Sequence, residues 1–165
     1  METRHIVALS GGKDSTAMAI LLSRLEPRKY IYICTPTGDE SQEMIAHWAK
    51  LEIILGASIV MLKNRTLNFW ISEFNALPNW RQRWCTRLLK IEPTLAFLRR
   101  MMPCVQYVGL RADEEEREGI YGYEIPQRFP LRELGYGISE VKSLLRAEGI
   151  VIPARTDCLR CYGQK

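Results

Sequence analysis

Ser10-Gly11-Gly12-Lys13-Asp14-Ser15 is where residue types capable of chemistry stand together in this 165-residue chain. Paired glycines carry no Cβ, so the backbone can turn sharply there and come close to a ligand. Apolar residues 6–9 precede the stretch and apolar residues 17–22 follow it, which predicts a buried strand, a tight turn and a helix start. The first amides of such a helix lack intrahelical partners and sit at the positive end of its dipole, a ready site for anions. Lys13 adds a full positive charge. An ordinary strand–turn–helix junction with an incidental lysine is the plainer alternative.

Three further groups carry chemistry. Cys85 stands among Arg81, Arg83, Arg87 and Lys90, and nearby cations favour the thiolate, the form that attacks or binds metal. A solvated basic helix around a buried cysteine would have the same composition. Cys158-Leu159-Arg160-Cys161 is a C-x-x-C pair, a spacing that serves zinc, iron–sulfur and redox pairs alike. Arg111, in Gly109-Leu110-Arg111-Ala112-Asp113-Glu114, offers a planar fork suited to oxyanions. The acidic run from Asp113 to Glu118 reads as a charged, solvated helix turn. Cys34 and Cys104 lie in or beside apolar runs and read as core thiols.

The loop at residues 10–15 is neither of the two commonest phosphate loops. Asp14 follows the lysine where a Walker A loop needs Ser or Thr, and G-x-G-x-x-G is absent. It resembles instead the S-G-G-K-D-S loop of the PP-loop ATP pyrophosphatases, which is shared with the phosphoadenosine phosphosulfate reductase family. The resemblance runs from Val7 to Cys161 in four motif blocks: the loop itself, Thr37-Gly38-Asp39-Glu40, the segment around Cys85, and Gly109-x-Arg111-x-x-Glu114 with Glu115 in the family's serine position. It implies that Ser10, Gly11, Gly12, Lys13, Asp14, Ser15, Thr37, Gly38, Gly109 and Arg111 hold ATP or a sulfated adenine nucleotide. Lys13, Asp14 and Arg111 would be the catalytic residues, with Asp14 a candidate magnesium ligand.

Iron–sulfur members of that family bind their cluster through a Cys-Cys pair and a distant C-x-x-C. Here Trp84 stands in the first position of the pair, and 72 residues separate Cys85 from Cys158. The resemblance thus implies three ligands, Cys85, Cys158 and Cys161, for a 4Fe-4S cluster that normally takes four thiolates. Zinc, or structural thiols without metal, are the competing readings.

The elements that must position these groups follow from the pattern. A helix over residues 14–25 ends before Pro27, and residues 30–34 form a second strand. Ser41 caps a helix whose apolar face is Met44, Ile45, Trp48, Leu51 and Leu55, with Gly56 as its stop. Residues 58–62 are a third strand. Residues 67–74 are helical, with aromatics that pack rather than stack on bases. Pro93 opens a helix to about Met101, and residues 105–108 form a fourth strand. Residues 121–127 are loop, and Ser139 caps a last helix that stops at Gly149. Strand–helix alternation means parallel strands with ligands at their carboxyl ends. The pattern predicts an α/β fold, and the resemblance implies a Rossmann-like three-layer α/β/α sandwich with a mainly parallel sheet of about five strands, of the adenine nucleotide alpha-hydrolase-like type.

Composition sets the frame. With 47% hydrophobic residues and a net charge of +4, one globular domain over residues 1–165 is expected, ending in the Cys-x-x-C tail at 153–165. The surplus charge suits anionic partners. No apolar stretch approaches a membrane span, and five cysteines without a signal segment point to the cytoplasm. A homodimer is compatible with all of this.

The resemblance implies two chemistries. One is reduction of a sulfated adenine nucleotide by a cysteine beyond the cluster. That cysteine's Glu-Cys-Gly-x-His motif is absent, and the sequence stops four residues after Cys161. The other, which the sequence favours, is ATP-dependent adenylylation with pyrophosphate release and sulfur transfer supported by the cluster. Arg81, Arg83, Arg87, Lys90, Arg99 and Arg100 make nucleic acid a candidate acceptor, alongside a sulfur-donor protein as partner. A non-catalytic nucleotide-binding module is the third reading.

Overall fold

A computed structural model describes residues 2–114, 116, 124–161 and 163. Five strands, β1 (Arg4–Ala8), β2 (Tyr30–Cys34), β3 (Ile59–Met61), β4 (Cys104–Tyr107) and β5 (Gln127–Arg128), form one sheet in the order β3-β2-β1-β4-β5. Every pairing is parallel. The order reverses beside β1. A crevice therefore opens between the carboxyl ends of β1 and β4, where the connections leave to opposite sides.

Alternation along the strands sorts two cores. Val7, Tyr30, Tyr32 and Cys34 pack with helices α1 (Lys13–Leu25), α2 (Gln42–Leu55) and α7 (Ile138–Ala147). Ile6, Ile33 and Cys104 pack with Leu98 of α5 (Glu92–Arg100) on the other face. These are the three layers. The period-two burial follows from side chains pointing alternately to opposite faces of a strand.

Helix α2 is capped as expected: Ser41 Oγ accepts from Met44 N at 3.2 Å, and Gly56 closes it at φ 62°. Its buried face corrects the expected one. Met44, His47, Trp48 and Leu51 are buried, whereas Ile45 is 47% exposed. Spacings of three, four and seven residues keep the first set on one stripe, and Ile45 lies one residue off it.

Helix α3 (Leu67–Phe74) carries its aromatics as packing. Phe74 stacks on Trp70 at 5.3 Å and meets Trp84 edge-on at 5.2 Å. Pro93 does not begin a separate helix. Helix α4 (Trp84–Thr86) runs through a π-helical turn, Arg87–Ile91, into α5, with right-handed helical torsions at both junctions. Proline has no N–H to give to a carbonyl four residues back and its ring crowds that carbonyl, so the wider turn accommodates it.

Helix α6 (Pro130–Glu133) precedes α7, whose cap is Gly137 rather than Ser139. The Glu140 carboxylate accepts from Gly137 N at 3.0 Å and Asp113 accepts from Ile138 N at 3.3 Å, while the Ser139 hydroxyl donates to Glu140. Strand β5 is an addition to the expected loop at 121–127. Gln127 Nε2 donates to Gln106 Oε1 at 3.0 Å across the new pairing. Glu115 and residues 121–123 lie outside the described residues. Among the described residues no helix is long and apolar enough to cross a membrane.

Candidate functional site

The crevice at the switch point has a volume of about 310 Å³. Ser10, Gly12, Asp14 and Ser15 line it from the end of β1 and the start of α1, with Cys34 and Thr35 from β2 and Gly109 from β4. Within the loop, Gly12 N donates to Ser10 Oγ at 3.3 Å, and Ser15 Oγ donates to Gly12 O at 3.1 Å. The two serine hydroxyls are 3.0 Å apart. These bonds brace the turn without covering the helix end: Gly12 is the N-cap of the 13-residue α1, and no side chain caps it. Ser41 and Thr66, by contrast, cap α2 and α3 with their hydroxyls.

Two glycines are there because nothing larger fits. Gly11 has φ 87°, and a Cβ on it would lie 2.6 Å from Trp48 Nε1, which donates to Ser10 O at 2.9 Å. A Cβ on Gly109 would lie 3.0 Å from Ser15 N and 3.1 Å from the Asp14 carbonyl carbon. The β4 loop is thus pressed directly against the first turn of α1.

Asp14 is the electrostatic centre. Its Oδ2 accepts from Lys13 Nζ at 3.1 Å and from Arg111 Nη1 at 3.0 Å, while its Oδ1 is buried without a protein partner. Arg111 also donates through Nε to Asp113 at 2.7 Å, and its main-chain N donates to Glu114 Oε2 at 3.2 Å. Burial works against the Arg111 charge, but Asp113, Asp14 and Glu114 outweigh it and hold its pKa above the usual value. Asp113 and Glu114 therefore fix Arg111, where the sequence reading assigned the acidic run to solvent. Lys13 and Arg111 meet at the carboxylate of Asp14, which lines the crevice.

The Glu40 carboxylate takes Thr37 N at 2.5 Å, Thr37 Oγ1 at 2.6 Å and Gly38 N at 3.0 Å, so these donors are already used. The loop receives the tail instead. Asp39 O accepts from Leu159 N at 2.7 Å, and the Asp39 carboxylate accepts from Arg160 N at 2.9 Å and Arg160 Nη2 at 2.6 Å. Asp39 is partly buried, which opposes its charge, but the Arg160 bonds prevail and keep its pKa below the usual carboxylate range.

The cysteines separate into kinds. Cys34 and Cys104 are buried, as expected. Burial, helped by Glu40, pushes the Cys34 thiol up to about 12. Cys158 and Cys161 share one turn of the tail, where Cys161 N donates to Cys158 O at 3.0 Å. Burial also raises the Cys158 thiol, against the opposing effects of Lys90 and a hydrogen bond with Thr37. Cys85 sits in α4 and is half-buried. Among the described residues, no three Cys, His, Asp or Glu side chains gather in a group that could hold a metal. The expected ligands Cys85, Cys158 and Cys161 stand on two elements, Cys85 on α4 and the other two on the tail, which Asp39 and Thr37 hold.

Two residues missed as site residues belong here. Lys90 and Thr94 line the crevice from the opposite wall. The π turn carries Lys90, and Pro93 three residues on was the only sequence signal for it. His47 is buried beneath the loop and hydrogen-bonds the main chain of Gly11, with Nε2 left unpartnered. Nothing in the sequence around it signals that contact.

Comparison with known proteins agrees with this architecture. A crystal structure of phosphoadenylyl-sulfate (PAPS) reductase from Candida auris, in a phosphate complex, superposes with a TM-score of 0.71 at 12% identity. The match covers 92% of this chain and 76% of that one, and shows the fold. Two uncharacterized proteins of Methanocaldococcus jannaschii are 30% identical over 113 and 95 residues. The matches cover 66% and 56% of this chain but only 23% and 22% of those proteins, so the aligned region spans under a quarter of their length. The profile of the phosphoadenosine phosphosulfate reductase domain matches residues 4–126, which take in the 10–15 loop, Asp14 and Arg111. The chain belongs to the phosphoadenosine phosphosulfate reductase domain family.

Proposed function

We propose that this chain binds ATP with its phosphates across the 10–15 loop and transfers the adenylyl group to an acceptor oxygen, releasing pyrophosphate. The observation that carries this reading is the start of α1, an uncapped helix end that opens on the switch-point crevice beside Asp14. Uncapped amides and a helix dipole suit phosphate oxygens, and Lys13 and Arg111 bring cations from two elements to the same carboxylate.

The acceptor oxygen attacks the α-phosphorus. The bond from that phosphorus to the oxygen bridging to the β-phosphate breaks, and pyrophosphate leaves with the electron pair. A sulfur or nitrogen nucleophile then displaces AMP from the activated acceptor. Main-chain donors of the loop and Lys13 stabilise the charge that builds on the leaving pyrophosphate. Magnesium fits Asp14, whose Oδ1 is a hard oxygen with no protein partner. When bound there, it would supply charge neutralisation between phosphates. Arg111 holds the other oxygen of Asp14 and so sets the carboxylate's direction. No step uses the cysteines as a cluster.

Family membership also supports a second reading, reduction of a sulfated adenine nucleotide in the same crevice. Product analysis separates the two. Incubation with ATP is expected to release pyrophosphate and AMP, with water standing in for the acceptor, and Asp14→Asn is expected to slow release by at least about tenfold. Sulfite from a sulfated adenylate, with no pyrophosphate from ATP, would establish the second reading instead.

A further inference from the structure

The surplus positive charge of this protein is concentrated in one segment. Residues 80–101 hold six cations against the single carboxylate of Glu92, a local charge of +5 in a chain whose total is +4. Trp80, at the head of that segment, is 72% exposed and is the most exposed aromatic side chain among the described residues. A closed turn presents it. Asn79 Oδ1 accepts from Arg81 N at 3.0 Å and Gln82 N at 2.9 Å, Asn79 N donates to Gln82 O at 3.2 Å, and Pro78 behind it is buried. The Arg81 guanidinium lies 4.7 Å from the Trp80 ring centroid. Arg83 and Arg87 follow in the same segment and are exposed, Arg87 lying 3.8 Å from Glu92, and the helical run then reaches Lys90 and Thr94 on the wall of the crevice.

An exposed indole costs solubility and contributes nothing to the core, whereas a rigidly held aromatic with arginines beside it has the two elements a single strand needs. Every base has a π-face to stack, and every nucleotide has a phosphate to pair. A duplex hides its bases, and an acidic peptide can match the arginines but does not carry a flat ring on every charged unit as a single strand does. We infer that the Trp80 turn and the arginines beside it bind single-stranded nucleic acid, with one base on the indole and the backbone running along α4 towards the crevice. As a dock for the acceptor, this rests on the adenylyl-transfer reading. As a binding surface, it does not.

The test is fluorescence anisotropy of the full chain with a labelled 12-nucleotide RNA, the DNA of the same sequence, and their duplexes, each at 50 and 200 mM salt. A single strand is expected to bind about tenfold or more tighter than duplex, and the RNA and DNA arms identify which strand is preferred. Trp80→Ala is expected to weaken binding about tenfold with the salt slope retained, and Trp80→Phe to recover part of the loss. Arg81→Gln should lower the slope of log affinity on log salt by about 0.7. Equal affinity for Trp80→Ala and the wild type, or duplex binding as tight as single strand, would overturn the inference. Lys13→Ala should lose ATP and keep the strand. Strand binding without any ATP binding would therefore leave this surface standing and remove the adenylyl-transfer reading alone.

Discussion

Gly109 and His47 show what the site demands of single residues. The space where a Gly109 Cβ would go is filled by main chain of Asp14 and Ser15 at 3.0–3.1 Å, and backbone cannot step aside as a flexible side chain can. Gly109→Ala should therefore cost about 1–3 kcal/mol of stability, read from urea midpoints, and weaken nucleotide binding by displacing the first turn of α1. His47 couples the loop to pH. Burial, with a smaller contribution from Lys50, holds its pKa below the ordinary 6.5, against the hydrogen bond with Gly11. The unfolded chain then takes up the proton first, so the stability His47 contributes is complete above about pH 6.5 and is lost as pH falls towards the lowered value. His5, the other histidine, is shifted the same way by burial and Arg28. Urea midpoints at pH 7.5 and 5.5 should differ for the wild type, and His47→Gln should narrow the difference without removing it.

At the scale of elements, caps and periodicity carried most of what the sequence could say. Ser41 was legible as a cap because an N-cap hydroxyl is a local device. Ser41→Ala should cost about 1 kcal/mol, measured by thermal or urea unfolding. The first three strands and helices α1 and α2 were legible for the same reason, since apolar runs and turn residues alternate cleanly over residues 4–62. Where bonding was tertiary, the reading failed. The cap of α7 comes from Glu140, three residues on, and from Asp113, 25 residues before Ile138, so only part of what sets Gly137 rather than Ser139 at its start is local. Strand β5 has two residues and depends on pairing with β4, too short for any alternation to show. Lys90 entered the crevice wall through a π turn whose extra residue shifts the phase of the helix, which a 3.6-residue period does not anticipate. Of the candidate site, Ser10, Gly12, Asp14, Ser15 and Gly109 meet in one crevice, while Thr37 and Gly38 hold the tail through the Asp39 loop.

For the molecule as a whole, sheet topology turns scattered residues into a site. The carboxyl ends of β1, β2 and β4 meet at one switch point, so residues 10, 35 and 109 face each other although nearly a hundred positions separate the first from the last. The second core, behind the sheet, holds α5 in place and with it the basic segment that leads from Trp80 to the crevice. Anion chemistry at one end of a parallel sheet is the claim on which the functional account depends. Its most direct test is isothermal titration calorimetry of the full chain with a non-hydrolysable ATP analogue and magnesium, comparing wild type with Lys13→Ala and Arg111→Ala. The account predicts saturable heat at a single site for the wild type and affinity reduced about tenfold or more in each variant. No heat in the wild type, or unchanged affinity in both variants, would contradict it.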